Sequence, residues 1–224
     1  MHSHNLAACG LIDTLIMCSV VFEPSQMKPV ERIEYLIDEE PAPGRFGLVQ
    51  RFVNTMALEW KQEMLSSPQR LRAVLADFGL IAATAPVSED DLQRALALRE
   101  ALRALALANN GGPAAPWAEL TLEQAAAGVL GLRFDGLPRL VGTEAGVTGA
   151  LATLVGAVVE AAAAGTWSRL KACPGEGCFW LFYDRSRNQS RYWCDMAVCG
   201  NRTKTRSYRA RRRAARSPAR RQQP

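Results

Sequence analysis

Histidine is nearly missing: 224 residues carry two, His2 and His4. That removes the commonest general base and metal-ligating imidazole from the body of the chain. No glycine-rich phosphate loop, nucleophile motif or internal repeat is present either. A non-enzyme is expected. The start of the chain lacks a basic lead. Residues 6–22 are mostly apolar, but Asp13 interrupts them and no Lys or Arg precedes them. An export signal needs that positive lead, and a membrane span needs about 20 predominantly apolar residues. A buried helix or irregular extension is expected there, in a cytoplasmic chain with no membrane partner. In a reducing compartment, paired cysteines favour metal over disulfides.

Acids are scarce at the other end. From Thr166 onward there are 15 Lys+Arg against 3 Asp+Glu, which leaves 12 against 19 in the first 165 residues. The net charge of +5 therefore hides an acidic body and a basic end, and the basic end calls for a polyanion. The length suits one domain with a small satellite, or two modest domains, and 48% hydrophobic with 22% charged residues is a globular composition.

Residues 1–44 are poorly patterned and close on EEPAPGR, a linker. Met27 offers an alternative start, so the first 26 residues are expected to be dispensable. Residues 45–165 read as mainly helical. In SSPQRLRAVLADFGL, Ser67 stands as N-cap, Pro68 at the first helical position and Gly79 past the end, with Leu71, Val74, Leu75 and Phe78 on one face. A capping box from Ser88 to Asp91 opens a helix that stops at 109–112, and Thr121 to Gln124 reads as a second box. GLRFDGLPRLVG predicts two strands about the Asp135–Gly136 turn. TGALATLVGAVVEAAAAG predicts a helix apolar almost all round, hence central. Glu59, Glu63, Glu89 and Asp90 read as a solvated face and helix N-terminal charges.

The basic end holds four of the six cysteines. Cys173 and Cys178 are separated by four residues, as are Cys194 and Cys199, with fifteen between the pairs. Two short-spaced thiolate pairs suit a tetrahedral Zn²⁺ shell, and four protein ligands leave no open position, so the site reads as structural. Such an ion supplies stability that a module this small cannot draw from its own core. Cys9 and Cys18 are expected to be free thiols. Between the pairs, FWLFYD predicts a strand with Phe179, Leu181 and Tyr183 on one face and Trp180 and Phe182 on the other; RSRNQS turns and RYWC returns. A treble-clef-like order of knuckle, hairpin and helix follows. The aromatics are expected to be core; single-stranded base stacking is the alternative.

These residues resemble the CGNR zinc finger family, whose tetrad stands here at Cys199, Gly200, Asn201 and Arg202. The resemblance covers about residues 166–212 through CPGEGC, WLFYDRSRN, RYWC and CGNR. Upstream, FVNT (Phe52 to Thr55), followed by helices, resembles the ABATE domain that usually precedes this finger. The resemblance implies a bacterial, stress-related transcription regulator, with the finger on DNA and the ABATE domain as a ligand sensor. Two departures stand out. The first 44 residues extend beyond the family domain, and Tyr192 occupies a position where a basic residue is expected, removing one phosphate contact.

After Cys199 come ten basic residues and no acid. Arg202, Arg206, Arg209, Arg213 and Arg216 step by 4, 3, 4 and 3, one stripe on a helix that Pro218 should end. Lys204, Arg211 and Arg212 widen it, and Arg187 and Arg191 join the expected nucleic-acid contacts. Asn201 and Arg202 are within reach of base edges. For Asn201, beside a ligand, bracing the knuckle is the preferred role, with Gly200 a structural member of the motif. The expected fold is α+β: an extension (1–44), a mainly helical domain with a small hairpin (45–165), a treble-clef-like zinc finger with a basic helix (166–216) and a tail (217–224). The expected function is DNA-binding regulation, with a small-molecule ligand and a homodimer as further expected partners. If six to ten phosphates are engaged, the log–log salt slope is on the order of −5 to −9. The alternatives are a zinc-stapled protein-interaction module, in which the arginines meet the acidic body, and an RNA-binding protein.

Overall fold

The computed structural model describes residues 41–216. The expectations placed on residues 6–22, Cys9, Cys18, Met27 and Pro218 lie outside that range. Within it run six α-helices: α1 Phe46–Val53, α2 Pro68–Asp77, α3 Glu89–Ala108, α4 Pro116–Ala126, α5 Gly146–Ala163 and α6 Asn201–Arg216. Three two-stranded antiparallel ladders accompany them. They pair β1 (Met56–Ala57) with β2 (Gln62–Glu63), β3 (Leu130–Asp135) with β4 (Leu137–Gly142), and β5 (Leu170–Ala172) with β6 (Leu181–Tyr183). The chain is α+β and mainly helical, as its patterning predicts.

Local chemistry explains most boundaries. Ser67 Oγ accepts from the Arg70 N–H (3.3 Å) and Pro68 opens α2. At α3, Ser88 Oγ accepts from the Asp91 N–H at 3.1 Å while the Asp91 carboxylate accepts from the Ser88 N–H at 2.8 Å, a reciprocal box. The second expected box is not one. α4 begins earlier, at Pro116, and Thr121 lies inside it, its hydroxyl donating to the Trp117 carbonyl at 2.9 Å. A proline at the first helical position outcompeted a threonine that can return its proton to the preceding turn.

α5 is the central helix. It is long and apolar enough to cross a membrane by length and composition, yet 61% of it is buried within the protein. Its backbone lies directly on β4: a Cβ at Gly149 or at Gly142 would collide with main-chain atoms, those at Gly142 being Gly149's own. Leu151, Leu154, Val155 and Val158 carry α5 into a core shared with Phe52 and Val53 of α1, Leu71 and Leu75 of α2, and Leu98 and Leu102 of α3.

That core does not stop at the helical domain. Leu170, Ala172, Leu181 and Tyr183, from β5 and β6, belong to the same cluster. The faces of β6 divide as expected: Leu181 and Tyr183 enter the helical core, while Phe182, with Trp180 beside it, packs around the cysteines. The expected hairpin partner is corrected. β6 pairs with β5, on the far side of the first cysteine pair, and residues 185–194 form no strand. Phe179 is not in the strand either; its φ of +51° breaks the alternation.

Glu59 and Glu63 are exposed, as expected of a solvated face, and each also holds an arginine. Glu63 takes both terminal nitrogens of buried Arg99 at 2.7 Å and accepts from the Leu65 N–H at 2.8 Å. Glu59 pairs with Arg202. Glu89 and Asp90 do lie in the first turn of α3.

Candidate metal centre and basic helix

The β5–β6 ladder presents the first cysteine pair at its tip. Cys173 N–H donates to the Trp180 carbonyl at 2.9 Å, extending the ladder by one rung, and Cys178 N–H donates to Gly175 O at 2.9 Å, closing the turn. The second pair comes from the approach to α6. Asp195 accepts from the Val198 N–H at 3.0 Å and caps a single wide turn, Met196–Gly200, which runs straight into α6. Cys199 sits in that turn. Gly200 is buried there, packed so closely that a Cβ would strike the Met196 side chain and crowd Trp193.

All four sulfurs lie within 4.8 Å of one another, and three of the four cysteines are buried. Cys178 and Cys194 are 3.5 Å apart, Cys194 and Cys199 3.6 Å, and all four are free thiols. Disulfide sulfurs would stand about 2 Å apart. A tetrahedral shell with bonds of about 2.3 Å has sulfur–sulfur edges of about 3.8 Å, so the donor set fits a metal ion. The electrostatics agree. Hydrogen bonds from Cys178 and Cys194 pull the Cys173 thiol down to about 2, so one sulfur takes the charge. The hydrogen bond to Cys173 raises Cys178 to about 12 and pushes Cys194 up as well, and desolvation raises Cys199. Four thiolates so close cannot coexist without a cation among them. This is a metal-binding site.

Residues not singled out by the sequence reading brace it. Lys171 Nζ, buried in β5, donates to Asp184 Oδ2 (2.7 Å), Gln189 O (2.6 Å) and Arg191 O (3.1 Å). Asp184, fully buried, also accepts from Ser186 N–H (2.9 Å), Ser186 Oγ (2.6 Å) and Arg191 N–H (3.0 Å). Burial alone would raise this carboxyl; hydrogen bonds from Lys171 and Ser186, with the Lys171 charge, hold it below the usual carboxylate range. The signal was an acid in a segment with only three. Asp184 pairs with Lys171, Glu176 with Arg206, and Asp195 caps the turn.

Side-chain amides bind the finger to the helical domain. Asn54 Oδ1 accepts from Leu181 N–H and its Nδ2 donates to Leu181 O, both at 2.9 Å, so one side chain acts as a strand neighbour for β6. Asn110 Nδ2 donates to Ala172 O (3.0 Å) and Tyr192 O (2.8 Å), and Arg103 donates to Phe179 O at 2.9 Å. FVNT thus acquires a physical role: Phe52 and Val53 fill the core, Asn54 holds β6, and Thr55 donates to Phe52 O at 2.7 Å.

The basic residues separate into three groups. Arg191 is turned inward: its side chain donates to Trp193 O at 3.1 Å and to Cys194 O, and lies over the Phe182 ring at 4.8 Å, so it braces the second knuckle rather than standing free. Arg202 and Arg206 pair with Glu59 and Glu176. Lys204, Arg209, Arg211, Arg212 and Arg213 are exposed on α6 with no ion pair among the described residues, and Arg212 rests over Tyr208. Arg187 is exposed on the 185–194 segment, and Arg216 ends α6. Asn201 is exposed and makes no side-chain hydrogen bond among the described residues; Asp195 and Arg191 brace the knuckle in its place.

Fold and site define a class: a helical domain sharing its core with a four-thiol metal finger that carries a basic helix. A family model described as "ABATE: Putative stress-induced transcription regulator" matches residues 47–166, and one described as "CGNR zinc finger" matches residues 169–212. The chain belongs to the ABATE family, followed by a CGNR zinc finger. No curated protein matches it.

Proposed function

We propose that this protein is a cytoplasmic DNA-binding transcription regulator in which a zinc-loaded finger anchors α6 against duplex phosphates. One observation carries the reading. α6 holds eight Lys and Arg and no acid, and Lys204, Arg209, Arg211, Arg212 and Arg213 stand exposed without a carboxylate among the described residues. Residues 204 to 213 span about 14 Å of helix, a length suited to several phosphates of one groove. Zn²⁺ is the proposed ion because four thiolates in a closed tetrahedral set match its ligand preference. That closed set also supports a structural, non-catalytic role. The helical domain is proposed as the sensing part. A homodimer fits as well, through the β3–β4 arm, where Leu132, Phe134 and Leu137 are exposed.

The test is a titration of zinc-loaded protein with random-sequence duplex DNA at several salt concentrations. Five phosphates engaged by the five unpaired cations give a log–log slope of about −4.5. Replacing Arg209, Arg211, Arg212 and Arg213 together by alanine should flatten it to about −1. A flat response in the unaltered protein would remove the DNA reading.

A second reading is favoured by the Arg202–Glu59 and Arg206–Glu176 pairs. There the arginines serve the acidic body, its own or a partner's, and the module assembles proteins. RNA stacking draws less support, because Phe182 and Tyr183 are buried and Trp180 and Trp193 are half-buried against their clusters.

A further inference from the structure

A cleft of about 220 Å³ opens where the β1–β2 connection of the helical domain meets the finger. It is smaller than the roughly 300–1,000 Å³ of drug-sized sites, so it suits a small ligand. Trp60 and Trp180 form its aromatic corner, with ring centroids 6.3 Å apart and planes at 65°. Trp60 is 53% exposed, an unusual position for an indole.

The rest of the lining is apolar or negative. Leu58 and Val198 supply apolar surface, Glu59 and Asp195 supply carboxylates, and among the described residues no basic one lines the cleft. Asp195 uses Oδ1 on the Val198 N–H, leaving Oδ2 without a hydrogen bond among the described residues. Cys178, Cys194 and Cys199 form one wall. Four thiolates around a divalent ion keep a net charge of about −2, so that wall remains negative when the site is loaded. Indole faces add their own negative quadrupole. The lining groups thus share one sign, and the positive group beside them is Arg202, which pairs with Glu59.

We propose that the Trp60–Trp180 cleft binds a small organic cation, a quaternary ammonium or protonated amine with an apolar body. The two indoles hold the charged head by cation–π attraction, and Glu59 with the thiolate wall neutralises it. Glu59 is already the partner of Arg202 at the start of α6. A cation in the cleft competes with Arg202 for that carboxylate, so occupancy and the freedom of Arg202 are linked. The binding stands apart from the DNA reading; the consequence for DNA affinity rests on it.

The probe pair is choline and 3,3-dimethylbutanol, the same shape with and without charge. Metal-loaded full-length protein is titrated with each, followed by tryptophan fluorescence and calorimetry. Choline should bind saturably, and the neutral alcohol at least about 10-fold more weakly. Trp60→Ala and Glu59→Gln should each weaken choline by about 10-fold while metal content and circular dichroism stay unchanged. Trp60→Tyr, which keeps an aromatic face, should recover part of the loss. No saturable choline binding, equal binding of the alcohol, or unaltered choline binding by Trp60→Ala would each overturn the proposal. Duplex DNA is then titrated with and without saturating choline. Choline binding by a protein with no DNA affinity would remove the regulator reading and leave the cleft standing.

Discussion

α5 and α6 are nearly equal in length, 18 and 16 residues, and opposite in nearly everything else. α5 has no charged residue except Glu160, and eleven of its residues are buried. α6 has eight basic residues, and beyond Thr203 its described side chains are all exposed. α5 forms because its surface is covered on several sides. α6 has no apolar face to bury, and its like charges at i, i+4 oppose helix formation. Its helicity is therefore owed to its root, where Asp195, Gly200 and Cys199 set the first turn on the metal knuckle. One helix is held along its length and the other from one end.

The largest expected effect breaks that asymmetry outright. Removing the metal, or replacing Cys199 by serine, should release α6 and the second knuckle while α5 persists. Structural zinc contributes about 10–16 kcal/mol in small finger peptides, so helical circular dichroism should fall by a large step on chelation. Acid should do the same, because thiolates take up protons as pH falls and metal leaves with them. An α6 that stays helical without metal would show that the root is not its anchor.

Next comes the brace beneath the knuckle. Lys171→Met strands buried Asp184 without its cation, a loss of about 3–5 kcal/mol, read from the urea midpoint. The Asp184 carboxyl is depressed in the folded protein, so its contribution is whole above the unfolded value of about 3.9 and is lost as pH falls below it. The wild-type advantage over Lys171→Met should shrink only in that acid window.

A cavity in the central helix tests the other side of the comparison. Leu154→Ala, at a fully buried position, should lower stability by about 2–5 kcal/mol and leave metal affinity unchanged. Asn54→Ala should come lower, at about 1–3 kcal/mol, because the buried Leu181 N–H loses its acceptor while the Leu181 C=O keeps only Gln50 Nε2, at 3.3 Å. The smallest effect belongs to Arg211→Ala. An exposed, unpaired arginine in α6 should change stability by less than about 0.5 kcal/mol, so any change in DNA affinity there reports contact rather than folding.

Much of the helical domain was legible residue by residue. Ser67, Ser88 with Asp91, and the Asp135–Gly136 turn act on neighbours a few positions away, and chemistry at that range is written in order along the chain. Thr121 misled for the same reason, since a local pattern has no knowledge of a proline five residues earlier. The site divided likewise. The four cysteines announced themselves by spacing, whereas nothing in the order of residues marks Lys171 with Asp184, or Arg99 with Glu63, as pairs. Each partner lies 13 or 36 residues away, and only burial made the pairing obligatory. Arg191 turns inward and Asn201 stands exposed, the reverse of the bracing expected, because which way a side chain turns at a knuckle depends on what packs beneath it.

The donor set, the arginine stripe after Cys199 and the charge imbalance between body and end are written in the residues alone. Those are properties of residue type and spacing, and no neighbour can alter them. The tertiary structure alone decided that the finger shares the helical core through Leu181 and Tyr183, and that Asn54 holds β6 from 127 residues away. It also decided that Arg202 is spoken for by Glu59, 143 residues distant, while Lys204 and Arg209 are not. Contacts at such separations form only after a shared core has brought distant stretches together, a cooperative property that no single stretch of chain encodes.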